Sequence, residues 1–330
     1  MARCLRVPKE LGESVRSALM DAELLDLGYR IGRDGDHILI PVLCDSFGGY
    51  DAEQAVLAEN ERRITDYRDL LPESMRELLP TSFDVIGDVV IVKLKDELLE
   101  HKRKIGDAIG RTADARMVLL DTGVKGDLRV RDLSPIYGEG STETVHRESG
   151  VSMVTDPAKV YFNPRLATER LRIASLVEDG ETIIDMFAGV APFPLVICKH
   201  ARPKAVYAVD MNPEAKRLME INIRKSGCDR IFPISGDART EIAKLPAADR
   251  VIMNLPRSAE DFLPDALSHT KKGGTVHLYS IHEKSDADRE IRDLVDRTCA
   301  DGLSCSISGI REMKSYSPTS AVYVTDILRG

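Results

Sequence analysis

Two groups of residues in this chain have the types and spacing to do chemistry. The first is a series of polar residues that each close a short apolar run: Asp185 in "TIIDMFAG", Asp210 in "AVYAVDMNP", Asp237 in "IFPISGDA" and Asn254 in "RVIMNLPR". After Asp185 come Met186, Phe187, Ala188 and Gly189, a stretch whose small residues let backbone approach a ligand, ahead of a helix start that favours a carboxylate. It is not a GxGxxG sequence, which disfavours a nicotinamide cofactor. Asp210, followed by Met211, is placed to accept both hydroxyls of a ribose. Asp237, followed by Ala238, is placed to accept from an adenine amino group. Each residue also has a plain reading: Asp210 and Asp237 as helix caps, Asn254 as a turn former. Four such run ends in order carry more weight than any one.

The second group is "KVYFNPRLATER", Lys159 to Arg170. Pro164 ends an extended stretch that contains Tyr161, and a helix follows with Arg165, Glu169 and Arg170 in its first turns. Arg165 and Glu169 stand at i and i+4, so the plain reading is a surface ion pair worth only a few tenths of a kcal/mol. The other reading is a carboxylate held beside a reactive ligand, available as a base.

The elements that must position these residues are legible from Glu181 onward. Apolar runs alternate with helical patterns: "TIIDMFAG" and "VAPFPLVICKHA", "AVYAVD" and "NPEAKRLMEINIRKSG", "IFPIS" and "DARTEIAKLP", "RVIMN" and "SAEDFLPDALSHTKKGG", "TVHLYSI" and "DADREIRDLVDRTCA". Strands alternating with crossover helices predict a parallel sheet with helices on both faces. In such α/β sheets ligands bind beyond the carboxyl ends of the strands, where the first group of residues falls. The last two runs, "LSCSISGIREMKSYS" and "TSAVYVTDILR", are separated by too few residues to be anything but an antiparallel hairpin. This layout resembles the Rossmann-like class I S-adenosylmethionine-dependent methyltransferase fold, with a seven-stranded, mostly parallel sheet and a terminal antiparallel hairpin.

Two small α+β domains are expected ahead of it. Residues 1–72 begin with a strand ("CLRVP"), a helix ("GESVRSALMDAELL") and a strand ("HILIPV"). The polar stretch "GGYDAEQAVLAENERRITDYRDLLPES" reads as a surface helix or linker. Residues 73–158 hold a bent strand pair ("FDVIGDVVIVKLKD"), a basic helix ("LLEHKRKIGDAIGRTA") and the alternating runs "GDLRVRDL" and "STETVHRESGVSMVTD". Residues 159–330 form the third domain.

At 330 residues, 43% apolar and 30% charged, this is the composition of an ordinary soluble protein. The charged N-terminus shows no signal peptide, and no apolar run is long enough to span a membrane. The six cysteines have no metal-ligand spacing and read as reduced residues of a cytoplasmic protein. The net charge of −8 argues against a nucleic-acid partner, yet it averages over a whole chain while binding uses one face.

The residues converge on a family. "GDLRVRDL", "KVYFNPRLATER", "DMFAGVAPF", "AVDMNP" and "VIMNLPR", together with the opening "CLRVPKELGESVRSALMDAELLDLGYRI", resemble the archaeal tRNA (guanine-N1)-methyltransferases that act at tRNA position 37. The resemblance spans essentially the whole chain. It implies an N-terminal domain that senses the tRNA elbow, a middle RNA-binding domain and a C-terminal methyltransferase domain. It further implies Glu169 as general base toward N1–H, Arg129 as donor to the O6 on which charge builds, and Asn254 and Pro256 as a wall that orients base or donor. Tyr161 and Arg165 are implied on the substrate side. Arg170, Asp185, Phe187, Ala188, Gly189, Asp210, Met211, Asp237, Ala238 and Asn254 are implied around S-adenosylmethionine. The target guanine must flip out of the anticodon loop to be reached. One residue departs from the family pattern: Ala191 stands where glycine is common, and its methyl group alters the φ preference of a tight loop.

Three alternatives stay open. One is a paralogue acting on the same nucleotide, either a wybutosine-pathway aminocarboxypropyl transferase or a dual-specificity methyltransferase. An amino-methyltransferase is disfavoured because no aromatic follows Pro256 where those enzymes carry one. A non-catalytic RNA-binding protein is the third. A monomer without structural metal is expected, and a Mg2+ requirement is not readable from these residues.

Overall fold

The computed structural model describes every residue except 23, 27, 60–65, 127–129 and 300–302. The chain divides into two compact units, Met1–Asp66 and Tyr67–Gly330. In the first, β1 (Ala2–Pro8) turns Leu5 and Val7 toward Leu19 of α1 (Gly12–Asp21), while Ala2 and Cys4 on its other face pack with Leu57. β2 (Gly32–Asp34), β3 (His37–Pro41), β4 (Ser46–Phe47) and β5 (Tyr50–Ala55) complete an antiparallel sheet of order β2-β3-β1-β5-β4. β5 corrects the expectation of a surface helix or linker here. Its polar residues give little alternation, and pairing of Ala2–Leu5 with Ala52–Ala55 makes it a strand.

The second unit opens with Tyr67, Met75 and Leu79, whose side chains pack among Val90, Val92, Ile105 and Ile109. Residues 67–72 therefore belong to this unit rather than to the first. β6 (Asp84–Ile86) and β7 (Val89–Val92) form the expected hairpin, turning at Gly87-Asp88. α2 (Lys102–Ala113) then crosses to β8 (Met117–Lys125), which runs parallel to β7 and pairs with β9 (Val130–Tyr137). Gly106 and Gly110 on one face of α2 let it lie against Ile136 and Tyr137 of β9. The β10 (Thr144–Glu148) and β11 (Val151–Thr155) hairpin leads into α3 (Ala167–Leu176).

The main sheet follows: β12 (Thr182–Asp185), α4 (Pro192–His200), β13 (Ala205–Asp210), α5 (Pro213–Ser226), β14 (Ile231–Ser235), α6 (Ala238–Ile242), β15 (Ala248–Met253), α7 (Leu263–His269), β16 (Thr270–Glu283), α8 (Ala287–Cys299), β17 (Cys305–Ser315) and β18 (Ser320–Arg329). Its order is β14-β13-β12-β15-β16-β18-β17. The first five strands are parallel, and β18 inserts antiparallel between β16 and β17. This is the expected class I layout, with one adjustment. Thr270–Gly274, read as the tail of a helix pattern, already belong to β16 through pairing of Thr270 with Ala248.

The boundary expected at residue 158 falls inside one continuous core. Ile86, Val89, Met117 and Leu119 of the smaller sheet cluster with Ile173 of α3 and with Ile183 and Tyr279 of the larger sheet. Cys299 at the end of α8 and Cys305 at the start of β17 lie side by side, their Cα atoms 6.2 Å apart and within disulfide reach. Cys4, Cys44, Cys198 and Cys228 are free thiols.

Candidate active site

Parallel strands place their carboxyl ends on one edge, and a cavity of about 250 Å³ opens there. Its walls include Met186, Phe187 and Gly189 after β12, Asp210 and Met211 after β13, Gly236, Asp237 and Ala238 after β14, and Asn254, Leu255 and Pro256 after β15. Tyr161, Asn163 and Leu166 close it from the segment before α3.

The plain alternatives can be resolved one by one. The cap of α5 is Asn212, which accepts from the Glu214 N–H at 3.0 Å, so Asp210 is not spent on that helix. Asp210 instead accepts from the N–H groups of Gly189 at 2.7 Å and Asn212 at 2.9 Å. Those bonds offset part of the burial that raises its carboxyl pKa. Asp237 does both jobs: it caps α6 through the Arg239 N–H at 2.8 Å and lines the cavity. The Asn254 side-chain amide has no hydrogen-bond partner among the described residues and faces the cavity with its donors and acceptor open.

Other expected residues lie off the wall. Asp185 and Ala188 are fully buried, and burial, with a smaller contribution from the charge of Asp210, pushes the Asp185 carboxyl up to about 7. One Asp185 oxygen accepts from the Phe187 N–H; the other, Oδ2, is buried without a partner. Arg170 is not on the wall either. Its guanidinium donates to both oxygens of Glu148, at 2.7 and 2.6 Å, and to the Asn163 carbonyl at 2.7 Å. The rings of Phe162 and Phe193 flank it, making Arg170 a buried clamp between β10 and α3. Arg129 lies outside the described residues.

Glu169 and Arg165 do not pair with each other. Arg165 reaches Asp84 at 2.7 Å instead. The Glu169 carboxylate is nearly buried and accepts from Arg172 Nε at 2.9 Å, Arg172 Nη2 at 2.7 Å and the Tyr279 hydroxyl at 2.8 Å. Tyr279 lines the cavity, so Glu169 meets the cavity wall through it. Burial, then the adjacent Glu169 charge, raises the Tyr279 pKa well above the ordinary phenol value, which keeps it a donor.

Residues from β16 and the final hairpin complete the site and lie outside the residues expected there. Tyr279 and Ile281 of β16, Met313 and Lys314 of β17, Tyr316 in the turn and Val322 of β18 all line the cavity. Arg257 contacts the hydroxyl of Tyr316 and stacks on its ring, joining the Asn254–Pro256 loop to the hairpin tip. Lys314 is half-buried; burial, then the neighbouring charges of Arg165 and Arg131, lower its pKa, with Asp84 opposing. Three cations thus gather beside the cavity.

The donor set suits an elongated nucleoside-type ligand. Asp210 offers acceptors for vicinal hydroxyls, while Asp237 and the apolar Met211, Ala238 and Phe262 suit a purine. Gly189 is at φ +55°, and a Cβ there would stand 3.3 Å from the Tyr161 carbonyl, so bare backbone is required at this wall. Among the described residues no cluster of His, Cys, Asp and Glu could hold a metal ion, and no helix is long and apolar enough to cross a membrane.

Comparisons with known proteins agree with this geometry. Residues 144–307 match the TRM5/TYW2 methyltransferase domain, residues 67–142 the TYW2 N-terminal domain and residues 4–51 the tRNA methyltransferase 5 N-terminal domain. The tRNA (guanine(37)-N(1))-methyltransferase Trm5b of Pyrococcus abyssi is 38% identical, over 96% of this chain and 96% of its own. The crystal structure of Trm5b from Pyrococcus abyssi superposes with a TM-score of 0.82, covering 100% of both chains at 36% identity. A complex of aTrm5 with tRNALeu gives 0.81 at 30% identity, covering 98% of each chain. Methanocaldococcus jannaschii Trm5 in complex with adenosine gives 0.67 at 32% identity, covering 99% of each chain.

Proposed function

The chain belongs to the TRM5/TYW2 methyltransferase family, and on that premise we infer that it is an S-adenosylmethionine-dependent tRNA methyltransferase that modifies N1 of guanine 37. The observation that carries the reading is the cavity at the strand ends, lined by Gly189, Asp210 and Asp237 after β12–β14 and by Asn254 and Pro256 after β15. S-adenosylmethionine, when bound, supplies an electrophilic methyl group.

The residues of the chain do the rest. Asp210 accepts from the ribose hydroxyls, and Asp237 from the adenine amino group. Asn254 presents an amide to the guanine edge, and Leu255-Pro256 form the wall between donor and base. Tyr161, half-exposed, offers a ring face to the flipped base. Glu169 takes the N1 proton as general base, and Arg129 donates to O6. The N1 lone pair then forms the bond to the methyl carbon as the carbon–sulfur bond breaks, leaving a neutral thioether.

Lys314 at the cavity and the more exposed Arg165, which also pairs with Asp84, serve the phosphates around the flipped nucleotide. In this reading the first unit senses the tRNA elbow, residues 73–158 hold the anticodon arm, and a cytoplasmic monomer acts alone. The test is incubation of unmodified tRNA transcripts carrying G or A at position 37, followed by nucleoside analysis. N1-methylguanosine on the G37 transcript alone is expected. Cofactor binding without that product would overturn the assignment, and an aminocarboxypropylated or tricyclic product would place the chain among the paralogues.

A further inference from the structure

We propose that Arg172 and Tyr279 are positioning residues that hold the Glu169 carboxylate in one orientation, with an unfilled acceptor direction left only on Oε2. The proposal rests on Glu169 being the base. A carboxylate offers about four lone-pair directions, two on each oxygen. Oε1 already accepts from Arg172 Nη2 at 2.7 Å and from the Tyr279 hydroxyl at 2.8 Å, so both of its directions are filled. Oε2 accepts only from Arg172 Nε at 2.9 Å. The next cation, Arg311 Nη1, stands 3.7 Å from Oε2, beyond hydrogen-bond reach. One direction on Oε2 remains.

Arg172 is itself braced. Its Nη1 and Nη2 donate to Asp326 Oδ2 at 3.1 Å and Oδ1 at 3.4 Å. Asp326 lies 2.6 Å from His277 Nδ1, and Arg250 Nη1 donates to His277 Nε2 at 2.7 Å, which puts the imidazole proton on Nδ1, toward Asp326. Glu181 holds Arg250 through two bonds of 2.9 Å. The chain from Glu181 to Glu169 alternates in charge around a central imidazole and runs through largely buried side chains. A flexible carboxylate on the first turn of α3 is thereby held in one rotamer by residues from β15, β16 and β18. In the reaction the N1–H bonding pair stays on guanine and the proton arrives on the Glu169 carboxylate, which Arg172 and Tyr279 keep in place.

The test is the single-turnover methylation rate against pH at saturating tRNA and cofactor, with cofactor and tRNA affinities measured in parallel. The charged and titratable groups facing Glu169 are Arg172 on its own helix, Tyr279 of β16, Arg311 of β17 and, through Arg172, Asp326 of β18. Glu169→Gln should slow the chemical step by about 100-fold or more, with cofactor affinity little changed. Arg172→Gln should slow it about 10- to 100-fold and move the acidic limb of the profile to higher pH, because the cation favouring the carboxylate is gone. Arg172→Lys should restore the limb while recovering only part of the rate, since an ammonium cannot reproduce the fork. Tyr279→Phe should move the limb the same way by less, and it decides between the outcomes if Arg172→Gln does not fold. If Glu169→Gln abolishes the rate while the Arg172 and Tyr279 variants leave the limb in place, positioning fails and the base assignment stands. If Glu169→Gln keeps the wild-type rate, the base assignment itself fails.

Discussion

Asn222 of α5 grips Val154 of β11 as a strand would: its carbonyl accepts from the Val154 N–H at 2.7 Å and its amide donates to the Val154 carbonyl at 3.0 Å. The same amide nitrogen donates to the Val190 carbonyl at 3.1 Å, in the loop that precedes α4. One fully buried side chain thus ties the β10–β11 hairpin to the loop between β12 and α4.

Asn222→Ala would leave three buried backbone groups unpaired. At roughly 1 kcal/mol or more for each, the loss is about 3 kcal/mol. Urea denaturation should show it as a lower midpoint at unchanged slope. Cofactor affinity should fall as well, because Val190 follows the Gly189 wall. A midpoint within error of wild type would mean that water replaces the amide.

Ala191 sits at φ +67°, ψ +41°, fully buried at the start of α4. A left-handed conformation costs an L-residue roughly 1–2 kcal/mol, which explains why glycine would suit the loop. Ala191→Gly removes that strain but adds unfolded-state entropy, so a net gain of up to about 1 kcal/mol is expected. Ala191→Val should lose more than the glycine variant gains. Thermal melts of the three proteins check the order; a glycine variant less stable than wild type would deny the strain.

The charge network predicts an acid dependence of stability. Burial alone would raise the Asp326 carboxyl, but the hydrogen bond from His277 and the charge and hydrogen bonds of Arg172 outweigh it and hold the pKa at about 2. A carboxyl depressed in the folded state contributes stability that is complete above its unfolded value, near 4, and is lost as pH falls through 2. The contribution is on the order of 2 kcal/mol. Asp326→Asn should flatten the drop in denaturation midpoint between pH 4 and 2. An equally steep drop in the variant would assign it to other carboxylates.

Phosphate contacts by Arg165 and Lys314 should appear in the salt dependence of tRNA binding. Affinity is expected to fall steeply with salt despite the acidic chain. Lys314→Ala or Arg165→Ala should each reduce the slope of log affinity against log salt by about 1. Slopes matching wild type would remove these residues from the phosphate path.

Much of the site was open to a reader of the residues alone. Asp210, Asp237 and Asn254 were identifiable because a parallel sheet delivers every strand's carboxyl end to the same edge, so strand order suffices to gather them. Tyr50–Ala55 reads as a linker because its polar residues become a strand only by pairing with Ala2–Leu5, and no local pattern records that partner. For Glu169 helix spacing left two partners open, Arg165 at i−4 and Arg172 at i+3, and did not choose between them. The structure pairs Glu169 with Arg172 and sends Arg165 to Asp84.

The sequence by itself determined the alternation of strand and helix, the polar residues at the strand ends and the carboxylate at the start of α3, because these follow from periodicity and chain order. Only the tertiary structure decided what surrounds that carboxylate. Inserting β18 between β16 and β17 brings Asp326 beside His277 and Arg172, and sets Tyr279 and Lys314 at the cavity. Those neighbours come from strand register, a long-range property that spacing along the chain does not carry.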